Sequence, residues 1–243
     1  MNLVIDIGNS FTKLALFEHN TMSFHAIFEG CEVEPIVDFC EKHREISHCI
    51  LSTVKDYPDA INAFLNKNFK TIVFKAGIPI PIINNYETPL TLGNDRLAAA
   101  VGAAHIFKHS EVLSIDAGTA ITYDFIDASG VYHGGGISPG IPMRFKALHT
   151  FTGKLPLIEM DEDAPLIGGN TRHSIASGVL NGTIAEVEGI IERYQAIYPS
   201  VKIILTGGDH NYFDKRLKIK TFAAPNLVLE GLNLILDFNI ETH

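Results

Sequence analysis

An apolar run ending in Asp-x-Gly occurs twice in this chain, 110 residues apart. Val4-Ile5-Asp6-Ile7-Gly8 stands over Ser114-Ile115-Asp116-Ala117-Gly118, and a second apolar segment follows each, Phe11 to Phe17 and Ile121 to Ile126. Apolar runs on either side of a glycine turn read as paired strands. At this offset Thr12 falls on Thr122, in the middle of each second strand. The later elements repeat as well, each half reading strand-strand-strand-helix-strand-helix-strand-helix. A duplicated α/β unit restricts the chain to two similar halves, 1–110 and 111–243, around a cleft. Ligands favour such clefts, and the two Asp-x-Gly turns are expected to face each other across it.

Periodicity fills in each half. A third strand is expected at 21–28, a helix over Pro35–His43, a strand at His48–Thr53, a helix over Pro58–Lys67 and a strand at Thr71–Phe74. A loop punctuated by Pro79, Pro81 and Pro89 then leads to an alanine-rich helix, Asn94–Phe107. The second half reads as strands at Val112–Asp116, Ile121–Ile126 and Val131–Ile137, then helical segments near 140–150 and 174–197. A strand at Val201–Leu205, a helix at Asp209–Arg216, a strand at Ile219–Phe222 and a helix over Pro225–Phe238 close the chain.

Charge narrows the partners. With 19 basic and 28 acidic side chains the formal charge is −9 and no basic block occurs, so nucleic-acid binding is not expected. An acidic chain that binds an anionic nucleotide must do so locally, through backbone N–H groups, a metal ion or a single lysine. Cys31, Cys40 and Cys49 are odd in number and lack CxxC spacing, which fits reduced thiols in the cytoplasm. The N-terminus reads as a strand rather than a signal peptide, and polar residues interrupt every apolar stretch before membrane-spanning length, so no membrane association is expected.

The turns carry the chemistry. Gly8 lets backbone approach a phosphate, Asn9 and Ser10 add donors, Asp6 can hold Mg²⁺ directly or through water, and Lys13 can pair with phosphate. The alternative is a plain hairpin. Asp116-Ala117-Gly118-Thr119-Ala120 repeats the design with a threonine hydroxyl, and Thr206-Gly207-Gly208-Asp209 offers a flat surface for adenine or ribose or is an ordinary strand-to-helix connection. In Gly93-Asn94-Asp95-Arg96 an ionised Asp95 at a helix start can accept a hydroxyl proton, and Arg96 offers a fork for a carboxylate or phosphate. The alternative there is capping by Asn94 or Asp95 with Arg96 on a solvated face. The run Gly134–Gly140 permits close approach or is a flexible turn, and Thr171 contacts a ligand or caps the long helix. Three glycine turns, each after an apolar strand, favour nucleotide binding and phosphoryl transfer to a small molecule.

The ordered set resembles the type III pantothenate kinases of the acetate and sugar kinase/Hsp70/actin superfamily. The matching residues are Asp6-Ile7-Gly8-Asn9-Ser10 with Lys13, Gly93-Asn94-Asp95-Arg96, Asp116-Ala117-Gly118-Thr119-Ala120, the Gly134–Gly140 run and Thr206-Gly207-Gly208-Asp209. The resemblance implies a duplicated ribonuclease-H-like (actin-like ATPase) fold and the first step of coenzyme A synthesis, ATP plus pantothenate giving ADP plus 4′-phosphopantothenate. It implies ATP binding by Asp6, Ile7, Gly8, Asn9, Ser10, Phe11, Thr12 and Lys13 with Thr119, and Asp95 as proton acceptor. Tyr86, Gly93, Asn94, Asp95, Arg96 and Thr171 resemble the pantothenate contacts. Asp116 matches the carboxylate that holds K⁺ or NH₄⁺, Mg²⁺ accompanies ATP, and a cytoplasmic homodimer with pantothenate near the subunit interface is implied. Ser10 stands where Thr is usual and keeps the hydroxyl. Asn94 replaces a small residue such as Ala, with an amide that can touch the substrate. A non-catalytic transcriptional accessory protein of the same fold, or a superfamily kinase for another acceptor, are the alternatives.

Overall fold

The computed structural model describes residues 1–160 and 164–241. The chain divides into two compact units, the first comprising Met1–Lys108, Gly130–His133 and the segment from Asn226 onward, the second His109–Ser129 and Gly134–Pro225.

The first unit begins with β1 (Asn2–Ile7), β2 (Phe11–Glu18) and β3 (Thr21–Glu29). Then come α1 (Val33–Lys42), β4 (His48–Thr53), α2 (Asp59–Asn68), β5 (Lys70–Val73), β6 (Ile83–Asn84) and α3 (Asn94–Ile106). Its sheet has the order β3-β2-β1-β4-β5. β2 runs antiparallel to β1 and β3, whereas β4 runs parallel to β1 and β5. Every residue of β1 is buried, as expected of a central strand covered on both faces. Leu3, Ile5 and Ile7 share one face with Leu14, Leu16 and Leu51, packed on Ile36 and Cys40 of α1 and Ile61 and Leu65 of α2. Burial pushes the Cys40 thiol up to about 12 and raises Cys49 well above its ordinary value, so both stay protonated, as reduced core thiols.

The second unit contains β7 (Val112–Ala117), β8 (Ala120–Ile126), β9 (Val131–Pro139), α4 (Ile141–Thr150), α5 (Thr171–Ile197), β10 (Lys202–Thr206), α6 (His210–Asp214) and β11 (Phe222–Ala223). Its strands follow the order β11-β10-β7-β8-β9, the same order as the first sheet read from the other end. Leu113, Ile115, Tyr123, Phe125 and Leu205 form a core with Phe145, Ile175, Val179, Val187 and Phe213. The final helix, α7 (Leu227–Glu241), belongs to the first unit. There Asn2 Nδ2 donates to Asn233 Oδ1 at 2.9 Å and to Asp237 Oδ1 at 2.7 Å, tying α7 to β1. Asn2, Val4 and Asp6 therefore share the helix-bearing face opposite α1 and α2.

The duplication holds at the level of strand order, with local departures. The turn between β1 and β2 has three residues, Gly8 to Ser10, whereas that between β7 and β8 has two, Gly118 and Thr119. Asp6 consequently pairs with Lys13, and Asp116 with Thr122. The counterpart of Thr122 is thus Lys13 and not Thr12, which lies opposite Ile7. A one-residue slip moves a side chain to the other face of a sheet. Part of the proline-punctuated loop is strand, because β6 pairs in parallel with Val131 and Tyr132. Among the described residues no strand lies between α4 and α5, α6 stops at Asp214, and β11 is confined to Phe222–Ala223 rather than Ile219–Phe222.

Candidate active site

In the first unit the Gly8–Ser10 turn is built by strand ends. Gly8 N–H donates to Phe11 O at 2.9 Å, and a Cβ on Gly8 would press that same oxygen at 3.2 Å. Ser10 O accepts from Gly30 N–H, and the buried Thr12 hydroxyl donates to Gly30 O, so Thr12 supports the turn from below. Asn9 and Ser10 are exposed, and their N–H groups make no hydrogen bond among the described residues. Asp6 is only 7% exposed, flanked in register by Lys13 on β2 and Ser52 on β4. The Ser52 hydroxyl is fully buried and has no hydrogen-bond partner among the described residues, a polar group the sequence pattern did not single out.

Helix α3 brings Asp95 to the same unit. Its N-cap is Gly93, which makes no side-chain capping bond. Asn94 does not cap either. Its Nδ2 donates to Phe74 O at 2.9 Å and Thr53 O at 3.4 Å, which pins the start of α3 to the carboxyl ends of β5 and β4. The amide nitrogen is thus committed to the protein rather than turned to a substrate. Asp95 Oδ1 accepts from Arg96 N–H at 2.8 Å. A Cβ on Gly93 would lie 2.5 Å from that oxygen, so only glycine leaves the carboxylate where it is. The solvated alternative for Arg96 fails, since it is 6% exposed with its guanidinium 5.7 Å from the Tyr86 ring centre. Tyr86 is positioned by its N–H bond to Asn84 Oδ1 on β6 and by Tyr132, ring centres 6.2 Å apart.

The second unit holds Asp116, Thr119 and Thr171. Asp116 sits between Thr122 of β8 and Thr206 of β10. Gly207, at φ +91°, leaves backbone so close that a Cβ would come 2.4 Å from Asp116 Oδ1 and 2.3 Å from Ala117 O. Asp209 N–H completes the cradle on Ala117 O at 2.9 Å, and burial raises the Asp209 carboxyl above its ordinary value. Thr119 is exposed at the tip of its turn, and Gly140 packs against it, N–H to Thr119 O at 3.0 Å. The capping alternative for Thr171 goes to its neighbour: Asn170 Oδ1 accepts from His173 N–H at 2.9 Å, and Thr171 stays exposed.

Two features of this unit have no local sequence signal. Arg144 of α4 bonds Glu186 of α5 at 2.7 Å and Pro139 O at 2.7 Å. Tyr123 also reaches Glu186, at 3.4 Å. Burial alone would raise the Glu186 carboxyl, but hydrogen bonds from Ser138 and Arg144 outweigh it and hold the carboxyl below its ordinary value. The network fixes the β9–α4 corner, and with it Gly140 against the Thr119 turn.

The type III pantothenate kinase family model matches residues 2–193. The type III pantothenate kinase of Bacteroides fragilis is 44% identical over 240 residues, covering 98% of each chain. This chain belongs to the type III pantothenate kinase family. Membership makes it a transferase, an ATP-dependent kinase. Solved structures agree on the fold. A putative Baf family transcriptional activator from Campylobacter jejuni superposes with a TM-score of 0.58 at 20% identity, over 98% of this chain and 99% of that one. A ROK family glucokinase from Streptomyces griseus, in complex with glucose and AMPPNP, gives 0.54 at 12% identity, over 98% of both chains. Both likenesses concern architecture alone, and the architecture of this pantothenate kinase family member is that of the actin-like ATPases. Among the described residues no helix is long and apolar enough to cross a membrane.

Proposed function

We propose that this chain performs its family's reaction, transfer of the γ-phosphoryl group of ATP to the terminal hydroxyl of pantothenate, giving 4′-phosphopantothenate and ADP at the start of coenzyme A synthesis. The observation that carries the division of labour is the anchoring of α3. Asn94 fastens Asp95 to the carboxyl end of the sheet that also carries Asp6, Lys13 and the Asn9–Ser10 turn. The Asn9 and Ser10 N–H groups and Lys13 receive the phosphates, with Ile7, Gly8, Phe11 and Thr12 shaping the segment. Asp95 keeps Oδ1 on Arg96 N–H and takes the pantothenate proton on Oδ2 as the hydroxyl oxygen bonds to phosphorus and the bridging oxygen leaves with ADP. Arg96 and Tyr86 hold the acceptor, Arg96 suiting its carboxylate. A screen of acceptors with ATP and Mg²⁺, run with and without K⁺, tests this. Turnover of pantothenate above sugars and acetate supports it, and preference for another acceptor overturns it.

The donor set suits the ions. Among the described residues there is no cluster of three His, Cys, Asp or Glu, which fits a Mg²⁺ that arrives on phosphates and meets one protein carboxylate. Asp6 would hold it, and the orphaned Ser52 hydroxyl beside Asp6 would satisfy a water of its shell. Held there, magnesium would offset negative charge on the nucleotide phosphates. Asp116 Oδ1 and Ala117 O both lie against the backbone of Gly207, two oxygens that would suit K⁺ or NH₄⁺. Asp116→Asn is expected to lower activity about tenfold or more and to abolish its response to K⁺ titration, on the scale of lost metal-site partners. A retained K⁺ response would remove Asp116 from the cation site.

We also propose a cytoplasmic homodimer built on the second unit. Ile137, Phe151, Leu157, Leu166 and Ile167 are exposed, with Phe151 at 85% and Ile167 at 86%. We place the dimer surface on these side chains, since apolar area gathered into one patch marks an interaction site. It is not slack chain, since Ser177 Oγ bonds Leu166 O at 2.7 Å and Ser174 Oγ bonds Gly168 O. Light scattering should give twice the 26.7 kDa chain mass, and Phe151→Glu with Ile167→Glu should shift it to the monomer. A wild-type monomer at micromolar concentration would contradict the proposal.

A further inference from the structure

Lys55 lies outside every motif, in the loop between β4 and α2. Its Nζ donates to the carbonyl oxygen of Asn9, in the middle of the phosphate-type turn, at 3.0 Å. The loop is set for this contact: Thr53 Oγ1 accepts from Lys55 N–H at 3.1 Å and donates to Lys55 O at 2.6 Å. The Asn9–Ser10 peptide is planar and trans, so its N–H points opposite to its C=O. A cation on the Asn9 carbonyl therefore fixes the direction of the Ser10 N–H and polarises it as a donor. The other two carbonyl-bearing contacts of the turn are neutral backbone pairs, Gly8 N–H to Phe11 O and Gly30 N–H to Ser10 O. In a chain of net charge −9, a triphosphate also gains from an ammonium held on this turn.

We propose that Lys55 is a positioning residue for the phosphate turn, holding the Asn9–Ser10 peptide so that the Ser10 N–H meets the phosphates of ATP. The proposal rests on the assignment of this turn to ATP phosphates. Its signature is an effect that depends on phosphate. The full chain with Mg²⁺ is titrated calorimetrically with AMP, ADP and AMPPNP, as wild type, Lys55→Met, Lys55→Arg and Lys13→Met. Lys55→Met should weaken AMPPNP roughly tenfold, the low end for a partly exposed hydrogen bond to a charged group, and AMP less than about twofold. Lys55→Arg should restore most of the loss, and the KM for pantothenate should stay unchanged. Unaltered AMPPNP binding in Lys55→Met, or equal weakening of AMP and AMPPNP, overturns the proposal. If Lys13→Met also leaves AMPPNP binding intact, the phosphate-turn assignment itself has failed. If Lys13→Met weakens binding and Lys55→Met does not, only the role of Lys55 has.

Discussion

Asp95→Asn should lower kcat for pantothenate phosphorylation by at least about a hundredfold, within the 10² to 10⁴ range of a positioned general base, while the fold and ATP affinity stay as in the wild type. The substitution is nearly isosteric. Asn can keep its Oδ1 on Arg96 N–H, the 2.8 Å bond that orients the native side chain. What it loses is the second oxygen, because an amide nitrogen cannot accept a proton. Gly93→Ala should move in the same direction by a different route. Its Cβ would fall 2.5 Å from Asp95 Oδ1, so the carboxylate must turn away while remaining chemically intact. Misplacement by about 1 Å costs on the order of a hundredfold, so kcat should fall with little change in the unfolding midpoint. Steady-state kinetics with thermal melts separate the cases. An Asp95→Asn enzyme with more than a tenth of wild-type kcat would remove Asp95 from the chemistry.

Gly231→Ala should damage both stability and turnover, because α3 and α7 cross with backbone against backbone. A methyl on Gly231 would lie 1.9 Å from Ala98 O, and one on Gly102 would lie 2.7 Å from Leu227 O. Alanine gains about 1 kcal/mol of helix propensity over glycine, but overpacking of this kind costs about 1–3 kcal/mol or more. Here the obstacle is backbone, which cannot rotate aside, so the clash wins. The helices must separate, and α3 carries Asp95 at its start. The unfolding midpoint should fall by several degrees, at roughly 2–4 °C per kcal/mol for a chain of this size, with a further loss in kcat. Gly189 in α5 is the control, since a Cβ there meets nothing within 4 Å. Gly189→Ala should be neutral or slightly stabilising. A Gly231→Ala protein as stable as Gly189→Ala would refute the tight crossing.

Local pattern was enough for the buried central strands and the two Asp turns, because such a strand must be apolar along its length and its turn must carry glycine. The repeated strand order followed from the repeated element order. Register was a different matter. One residue fewer in the second turn shifts Thr122 onto Lys13, and a sequence offset cannot reveal on which side of a turn a residue is lost. β6 has two residues and exists only through its pairing with Val131 and Tyr132, too short for any periodicity to register.

Within the site, residues that act through a motif of their own were legible, and residues that act across the fold were not. Asp95 and Arg96 stood out by type and place, although the burial of Arg96 needed Tyr86 and β6 to become visible. Asn94 resembled a substrate contact, and its sequence neighbours gave no sign that its Nδ2 also anchors α3 on strand ends, through bonds to Thr53 and Phe74. Lys55 and Asn9 are 46 residues apart, and Arg144 and Glu186 are 42 apart. Neither spacing carries a signal in one chain, because the sheet and helix packing alone bring the partners together.

Phosphoryl transfer to pantothenate, with Asp95 as proton acceptor, can be followed with γ-labelled ATP. With ATP, Mg²⁺, K⁺ and pantothenate, the wild-type chain should place the label on the terminal hydroxyl of pantothenate. The folded Asp95→Asn chain should leave it on ATP. Label recovered only as inorganic phosphate, label on another acceptor in preference to pantothenate, or full transfer by Asp95→Asn would contradict the account.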